Sequence, residues 1–282
     1  MRLIILKLVF VLSSFNCVLA QDTITLYYNN DWNVIKDKNK ATYYRKAFPD
    51  SNKAWSVRDY YMNKQIQMTG TFKSKKFTTR QGHFIYYFEN GRKSSEGNYV
   101  NNKNEGLWTY WHENGKKESE GIFKNDLRQD KWASWHDNGQ KESEGLFIEN
   151  KAEDNWEYWF ETGEMRAAGK YLHGRKDGTW KYFYKKGQIE SIEEYKDCDL
   201  NSITGYFDNG NFRLKGNCAN GKSDGEWTYW NVDGKLFLKG NYSNNLQEGE
   251  WTRFFPNGES MKLYYEKGVL VSKQLGGIYK KE

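Results

Sequence analysis

The chain has 282 residues, with hydrophobic residues at 37%, aromatic residues at 17% and a formal net charge of +6. It is long enough to bury a sizeable core, and because aliphatic residues are modest in number, aromatic rings must supply most of the buried area. Acidic and basic residues are interspersed and no basic block occurs. This excludes the basic, aromatic-lined surface that is typical of nucleic-acid binding.

Residues 1–20 have the outline of a secretory signal peptide. A basic start at Arg2 is followed by an apolar run that only Lys7 interrupts, and Ala20 ends a small-residue cleavage site. An uncleaved membrane anchor is the alternative, but the run is short for a membrane span. A lipoprotein site at Cys17 is disfavoured because the three preceding residues do not match a lipobox. We therefore expect export, to the periplasm, the outer membrane or the medium.

The two ends of the exported chain lack the regular pattern of its middle. Residues 21–54 contain two strand-like runs, and we interpret them as a segment that caps the first open strand of a repeat array. Residues 274–282 show no pattern, and we expect them to be a frayed tail.

Residues 55–273 form a repeat array in which a turn glycine marks each unit. The spacing is 24 residues, with one step of 23 between Gly187 and Gly210, and a fixed period of this size indicates a repeat architecture. A weaker copy, Trp55 to Phe72, precedes them. We number the units 1 to 8 by their turn glycines, which are Gly91, Gly115, Gly139, Gly163, Gly187, Gly210, Gly234 and Gly258.

Three other columns keep register with the turn glycines. Seven residues before them lie Phe84, Trp108, Trp132, Trp156, Trp180, Ile203, Trp227 and Trp251. Six residues after them lie Gly97, Gly121, Gly145, Gly169, Glu193, Gly216, Gly240 and Tyr264. Eight residues after each of the first seven turn glycines lie Tyr99, Phe123, Phe147, Tyr171, Tyr195, Cys218 and Tyr242.

Each unit reads as a β-hairpin around its turn glycine. Dipeptides such as Asn-Gly and Asp-Gly suit a two-residue type I′ turn. That turn would place Trp108 opposite Gly121 and Trp111 opposite Glu118, so that the indole covers the glycine across its own hairpin. Side chains alternate along a strand, so we expect a hydrophobic seam on one face and a second aromatic column among charges on the other. The predicted fold is all-β, an elongated single sheet of stacked antiparallel hairpins.

Two cysteines, Cys198 and Cys218, remain after signal cleavage, and they lie at the most degenerate point of the array. In an oxidising compartment a disulfide between them could staple the weak unit to its neighbour. The alternative is two free thiols that pack as small apolar groups.

The repeat resembles a known family. The pattern Gly-x-Trp-x-Tyr-Trp-x-x-Asn-Gly, followed by Gly-x-Phe or Gly-x-Tyr, is similar to the MORN-repeat variant of bacterial proteins that are often catalogued as YwqK-type antitoxin components. The resemblance covers about residues 55–266 and implies an elongated sheet of stacked hairpins. MORN-type arrays serve as scaffolds, dimerisation modules and proposed lipid-binding surfaces, so the resemblance favours a binding role. The antitoxin role fits poorly with a signal peptide.

The residues give no support for catalysis. No nucleophile elbow, phosphate loop or paired Cys-His arrangement occurs, and the carboxylates fall in turns or among charges. His112 and His136 share a column, but stacked units stand roughly 9.5 Å apart, too far for one metal ion. We therefore expect a non-enzyme without catalytic residues, a metal site or a cofactor.

The second aromatic column is the candidate interaction surface, although its rings could instead only shield the sheet. We expect a protein-interaction scaffold that binds an envelope protein. Glycan or cell-wall binding is the alternative, and lipid-surface binding is a further one. The column, four residues before each turn glycine, consists of Tyr87, Trp111, Trp135, Trp159, Phe183, Tyr206, Trp230 and Phe254.

Overall fold

The computed structural model describes residues 23–50 and 53–276, and almost all of its ordered elements are strands. Besides one 3-10 turn, Lys38–Lys40, no helix is present in the described residues, so none there is long and apolar enough to cross a bilayer. The strands are β1 Ile24–Tyr28, β2 Val34–Ile35, β3 Tyr43–Pro49, β4 Trp55–Tyr61, β5 Ile66–Phe72, β6 Gly82–Tyr87, β7 Lys93–Val100, β8 Lys103–Trp111, β9 Lys117–Lys124, β10 Leu127–Trp135, β11 Lys141–Ile148, β12 Lys151–Trp159, β13 Met165–Leu172, β14 Arg175–Phe183, β15 Ile189–Lys196, β16 Asp199–Tyr206, β17 Phe212–Ala219, β18 Lys222–Trp230, β19 Leu236–Ser243, β20 Leu246–Phe254, β21 Ser260–Glu266 and β22 Val269–Gly276.

These strands form one open antiparallel sheet of 22 strands. From β3 to β22 each strand pairs with the next strand in the sequence, and β1 lies between β3 and the short β2. The elongated sheet of stacked hairpins is therefore confirmed. The weaker copy is also a true hairpin, formed by β4 and β5, with Lys64 in the left-handed position that glycine holds in units 1–8.

The turn around each turn glycine differs from the predicted two-residue type I′ turn. In unit 2 the His112 amide donates to the carbonyl of Lys116, and the Gly115 amide donates to the carbonyl of His112. Of the three loop residues only Gly115 has a positive φ, of 87°. This is a three-residue loop, a type I turn followed by a glycine bulge, and it holds the extra residue that the predicted pairing lacked.

Type I′ turns do occur, but at the opposite ends of the strands, where one unit passes to the next. Asn101 and Asn102 have φ of 53° and 73°, and Asn125 and Asp126 repeat this geometry. Asparagine and aspartate tolerate the left-handed region better than other side chains. The sequence signal for this turn therefore exists, although it lies in Asn-Asn and Asn-Asp pairs and not at the turn glycines.

The longer loop, together with a second bulge at Glu118, changes one predicted cross-strand pair. Trp108 lies opposite Gly121, as predicted, but Trp111 lies opposite Lys117 and not opposite Glu118. Because one residue is unpaired between Lys117 and Ser119, a lysine and not a glutamate is the direct neighbour of the second-column ring.

The core is the predicted seam, where the tryptophans seven residues before the turn glycines are buried. Their rings do not cover the glycine across their own hairpin. Trp108 lies on Gly97 of the preceding unit, where an added Cβ would be 2.2 Å from the indole. Its Nε1 donates to the carbonyl of Asn98 at 3.1 Å, and the same bond recurs in the other tryptophan units.

The seam tryptophans thus join units, and this explains the exceptions in both columns. Where Glu193 replaces the glycine, Ile203 replaces the tryptophan of the next unit. Where Tyr264 replaces it, Leu275 stands 24 residues after Trp251. A side chain at the glycine position would occupy the same volume as the indole of the following unit. The glycine column and the tryptophan column therefore change together.

The predicted head segment continues the sheet and is tied to it by a buried ion pair. Arg45 of β3 donates two hydrogen bonds to Asp59 of β4, at 2.7 and 2.8 Å, and Asp59 is fully buried. At the other end β22 runs to Gly276, three residues into the predicted tail 274–282. The predicted signal peptide lies outside the described residues.

Cys198 and Cys218 do not form the predicted disulfide, and both are free thiols. Cys198 is the second residue of a type I′ turn, with φ of 67°. Cys218 is buried in the seam against the cluster of Trp227 and Trp251, where burial raises the pKa of its thiol. The alternative interpretation, small apolar packing, describes Cys218.

Candidate functional site

The candidate interaction surface is a stripe on the face opposite the seam. Each ring of the second column is directly paired across its hairpin with the residue two positions after the turn glycine. All eight rings are half-buried. We call the rings and their partners the second-face stripe, and the pairs in chain order are Tyr87–Lys93, Trp111–Lys117, Trp135–Lys141, Trp159–Met165, Phe183–Ile189, Tyr206–Phe212, Trp230–Leu236 and Phe254–Ser260.

In units 1–3 the partner residue is a lysine, and its ammonium group covers the ring of the next unit. Lys117 Nζ lies 5.0 Å from the ring centre of Trp135 and 2.6 Å from a carboxylate oxygen of Glu120. The same arrangement recurs with Lys93 and Lys141, each three residues before its glutamate. Cation–π attraction and the ion pair hold the lysine over the ring. This half of the stripe is therefore covered by paired charges.

In units 4–7 the partner residue is apolar, and the rings continue into an apolar surface. Phe212 bridges the units, with its ring centre 5.3 Å from that of Tyr206 and 5.4 Å from that of Trp230. Phe212 is itself 47% exposed. The position three residues further on, held by glutamate in units 1–3, is Ala168, Ile192, Lys215 and Lys239 in units 4–7. Within units 4–7, all of which the structure describes, Trp159 is the one second-column ring that a lysine covers, and that lysine is Lys141 of unit 3.

The two halves offer different chemistry. A partner that approaches units 1–3 meets charged groups already paired with each other, and binding there must break those pairs. A partner that approaches units 4–7 can bury aromatic and aliphatic surface at once. The ring of Tyr206 stacks on that of Phe212 with an interplanar angle of 28°, and the second-column rings are half-buried, so this surface suits apolar side chains of another protein better than the flat face of a sugar ring.

The histidines have structural contacts. His112 Nε2 lies 2.8 Å from the carbonyl oxygen of Trp135, and His136 Nε2 lies 3.0 Å from that of Trp159, so each links its turn to the next unit. Over residues 23–50 and 53–276, no group of three or more His, Cys, Asp or Glu side chains is placed to hold a metal ion.

The carboxylates near the unit starts also have structural contacts. Glu105 accepts from the amide of Asn125, Asp224 accepts from that of Asn244, and Glu248 accepts from that of Lys267. Each carboxylate satisfies a backbone donor at the type I′ turn that ends its own unit, and a turn role was predicted for such carboxylates.

The seam face carries polar groups that sequence reasoning did not single out. Tyrosine hydroxyls pair across adjacent strands, as in Tyr158 with Tyr171 at 3.2 Å, and burial raises the pKa of Tyr158. Glu193, the exception in the glycine column, accepts from the Tyr195 hydroxyl at 2.7 Å and lies 3.6 Å from Lys176. In the sequence, Glu193 could be noticed because it replaces a glycine of the repeat. Its neighbour Lys176 was identified only from the structure.

The fold and these columns define a repeat protein built from one sheet of hairpins. In most units a tryptophan packs on a glycine of the preceding unit and so joins the two. The family model described as MORN repeat variant matches residues 80–101, 104–125 and 176–197. Units 1, 2 and 5 are thus MORN repeats of this variant, since the matched spans coincide with them.

No curated protein matches the sequence. Among solved structures, "Crystal Structure of TcdB2-TccC3" matches at 12% identity with a TM-score of 0.21. That match covers 86% of this chain, which spans only 16% of the length of the matched chain. At this score it carries no conclusion about fold or function.

Proposed function

We propose that the chain is a non-catalytic, exported scaffold that binds a protein of the cell envelope through units 4–7 of the second-face stripe. One observation carries the proposal: at a single position of the repeat, the lysines of units 1–3, which cover the rings of units 2–4, give way to Met165, Ile189, Phe212 and Leu236 in units 4–7. A column that only shielded the sheet would gain nothing from this change, because exposed apolar groups raise the risk of aggregation.

The repeat sheet fits a scaffold or binding protein in its dimensions as well. Twenty-two strands at about 4.8 Å each give a contour on the order of 100 Å, along which several partner segments could lie. The pattern of residues 1–20 supports export, and the protein partner is then a component of the envelope or of the outer surface.

The test is cross-linking of the tagged protein in its own cell envelope, followed by purification and mass spectrometry. We compare the unaltered chain with the double variant Phe212→Ser and Leu236→Ser. Serine is chosen because Ser260 holds this position in unit 8, so the hairpin accepts it. We expect one protein recovered in stoichiometric amount with the unaltered chain and at least a tenfold loss with the variant, since the central apolar contacts carry most of the binding energy.

A matched control replaces two other exposed apolar residues, Val100→Ser and Leu107→Ser, which lie in units 1 and 2. The control should recover the partner as well as the unaltered chain does. Equal loss in both variants would show that units 4–7 are not the binding surface. Recovery of wall polysaccharide or lipid without a stoichiometric protein would refute the scaffold function itself.

A further inference from the structure

The junction between the head and the repeat array contains a cavity built on an irregular connection between two strands. Adjacent units are elsewhere joined by two-residue type I′ turns, but β5 and β6 are joined by a longer segment, residues 73–81. This loop is rich in lysine and faces the turn between β1 and β2. Together they enclose a cavity of about 490 Å³ that is open to solvent on one side.

The loop is anchored by one partly buried ring. Phe77 adopts a left-handed backbone with φ of 51°, and its ring packs edge-on against Trp55 and Phe72 at 5.7 and 5.9 Å. The amide of Lys73 donates to the carbonyl of Thr79 at 2.9 Å and closes the base of the loop. Lys75 and Lys76 are thereby held at the rim of the cavity.

The opposite wall presents an indole. Trp32 also has a left-handed backbone, with φ of 59°, which is unfavourable for a bulky residue and often marks a functional position. One face of its ring stacks on Tyr43, with centres 4.6 Å apart and planes at 7°. The side chain remains 39% exposed, and it lines the cavity next to Val34.

The lysines at the rim carry charge that no acidic group balances. Arg45 reaches the cavity, but its guanidinium is neutralised by the bidentate pair with Asp59. Within residues 23–50 and 53–276, neither Lys75 nor Lys76 forms an ion pair, and the ammonium of Lys75 lies 5.8 Å from the ring centre of Trp55. The cavity therefore combines net positive charge on one wall with an indole and aliphatic groups on the other.

From this geometry we infer that the cavity between Trp32 and the Lys75–Lys76 loop binds a carboxylated sugar residue of an acidic polysaccharide. The aliphatic face of a sugar ring can stack on the open side of Trp32, while its carboxylate accepts charge-assisted hydrogen bonds from the two ammonium groups. The open side leaves room for the residue to continue into its chain at both linkages. A bare anion would make no use of Trp32, and a neutral sugar would leave the two lysines unmatched.

The test is calorimetric titration of the purified protein with galacturonate and glucuronate oligosaccharides, with neutral glucose oligosaccharides and inorganic phosphate as comparisons. We expect saturable binding of at least one acidic oligosaccharide, weakened by added salt. The variant Lys75→Gln with Lys76→Gln should weaken it by roughly tenfold or more, as expected for the loss of charge-assisted contacts. Trp32→Ala should weaken it as well.

The matched control is Lys185→Gln with Lys186→Gln, an adjacent pair of exposed lysines in the turn of unit 5. It should bind as the unaltered chain does, and circular dichroism confirms folding of every variant. Absence of binding by both acidic oligosaccharides at millimolar concentration would overturn the inference. So would equal binding of the neutral oligosaccharide, equal binding of phosphate, or an equal loss in the control variant.

Discussion

Units 1–3 and units 4–7 share one backbone and one seam, yet they present different surfaces on the second face. Trp108 of unit 2 is 2% exposed and packs on Gly97 of unit 1, and Trp251 of unit 8 is 0% exposed and packs in the same way on Gly240 of unit 7. The residue beside the second-column ring is Lys117 in one half and Phe212 in the other. In this protein the tryptophan and glycine columns, which hold the units together, are nearly invariant. The two halves differ on the second face, at the position two residues after the turn glycine.

This comparison separates stability from recognition. A position that the sheet needs is filled in the same way wherever the unit is intact, because the same neighbouring backbone defines its volume. A position that faces solvent is free to vary, so a sustained change along four consecutive units indicates a surface with its own purpose.

The largest expected effect is on the shared seam, and it should be equal in both halves. Trp108→Ala and Trp251→Ala each remove a buried indole and its hydrogen bond to a backbone carbonyl. We expect a loss of about 3–5 kcal/mol in the free energy of unfolding for each. Urea denaturation followed by circular dichroism measures it. Trp111→Ala removes a half-buried ring and serves as the control, with a clearly smaller loss; a loss in one half only would break the comparison.

A smaller effect tests the contact between adjacent units. Gly121→Ala places a Cβ 2.1 Å from the indole of Trp132, and we expect overpacking to cost about 1–3 kcal/mol. The double variant Gly121→Ala with Trp132→Ile should be more stable than the sum of the two single changes predicts, because Ile203 accompanies Glu193 in the natural exception.

The same cycle with Gly240 and Trp251 should give a coupling of the same sign in the other half. Strictly additive losses in either cycle would contradict the assignment of these glycines to the following unit's tryptophan.

The smallest effect concerns charge and is confined to units 1–3. Hydrogen bonds from Lys141 hold the pKa of Glu144 below its ordinary value, with Lys131 contributing. A lowered pKa in the folded state stabilises the protein above the carboxyl's unfolded pKa, and that stabilisation is lost as the pH falls through the folded pKa.

We therefore expect Glu144→Gln to lose about 0.5 kcal/mol near neutral pH and almost nothing in acid. Thermal unfolding at several pH values measures the difference. Glu226→Gln is the control, since its pair with Lys239 in unit 7 is more exposed. A pH-independent loss for Glu144→Gln would show that packing and not charge holds this group.

Much of the fold was predictable because the same sequence pattern occurs in eight units. The turn-glycine spacing, the hairpins and the burial of the tryptophan column all follow from patterns of period 24 and period 2. The turn type was not predictable from Asn-Gly alone, since that dipeptide serves both a two-residue turn and a three-residue loop with a glycine bulge. This single extra residue moved Trp111 from Glu118 to Lys117.

The candidate surface was predicted only in part. Its eight rings were identified from their column, but their half-burial depends on neighbours two positions after each turn, which become partners only through the bulge. The head cavity was not predicted, because Trp32 and Lys76 are distant in sequence and belong to segments without a period. The sequence signal that does exist is the longer connection between Phe72 and Gly82.

The sequence by itself determined the units, their number and the faces of their strands, because a strand's alternation and a hairpin's turn are local properties of the chain. Tertiary structure decided which glycine each tryptophan covers, since the choice between its own hairpin and the preceding one depends on contacts between units. It also decided which lysine lies over which ring, and that the two cysteines remain apart. Those contacts depend on how twisted, bulged strands stack, and no single unit contains that information.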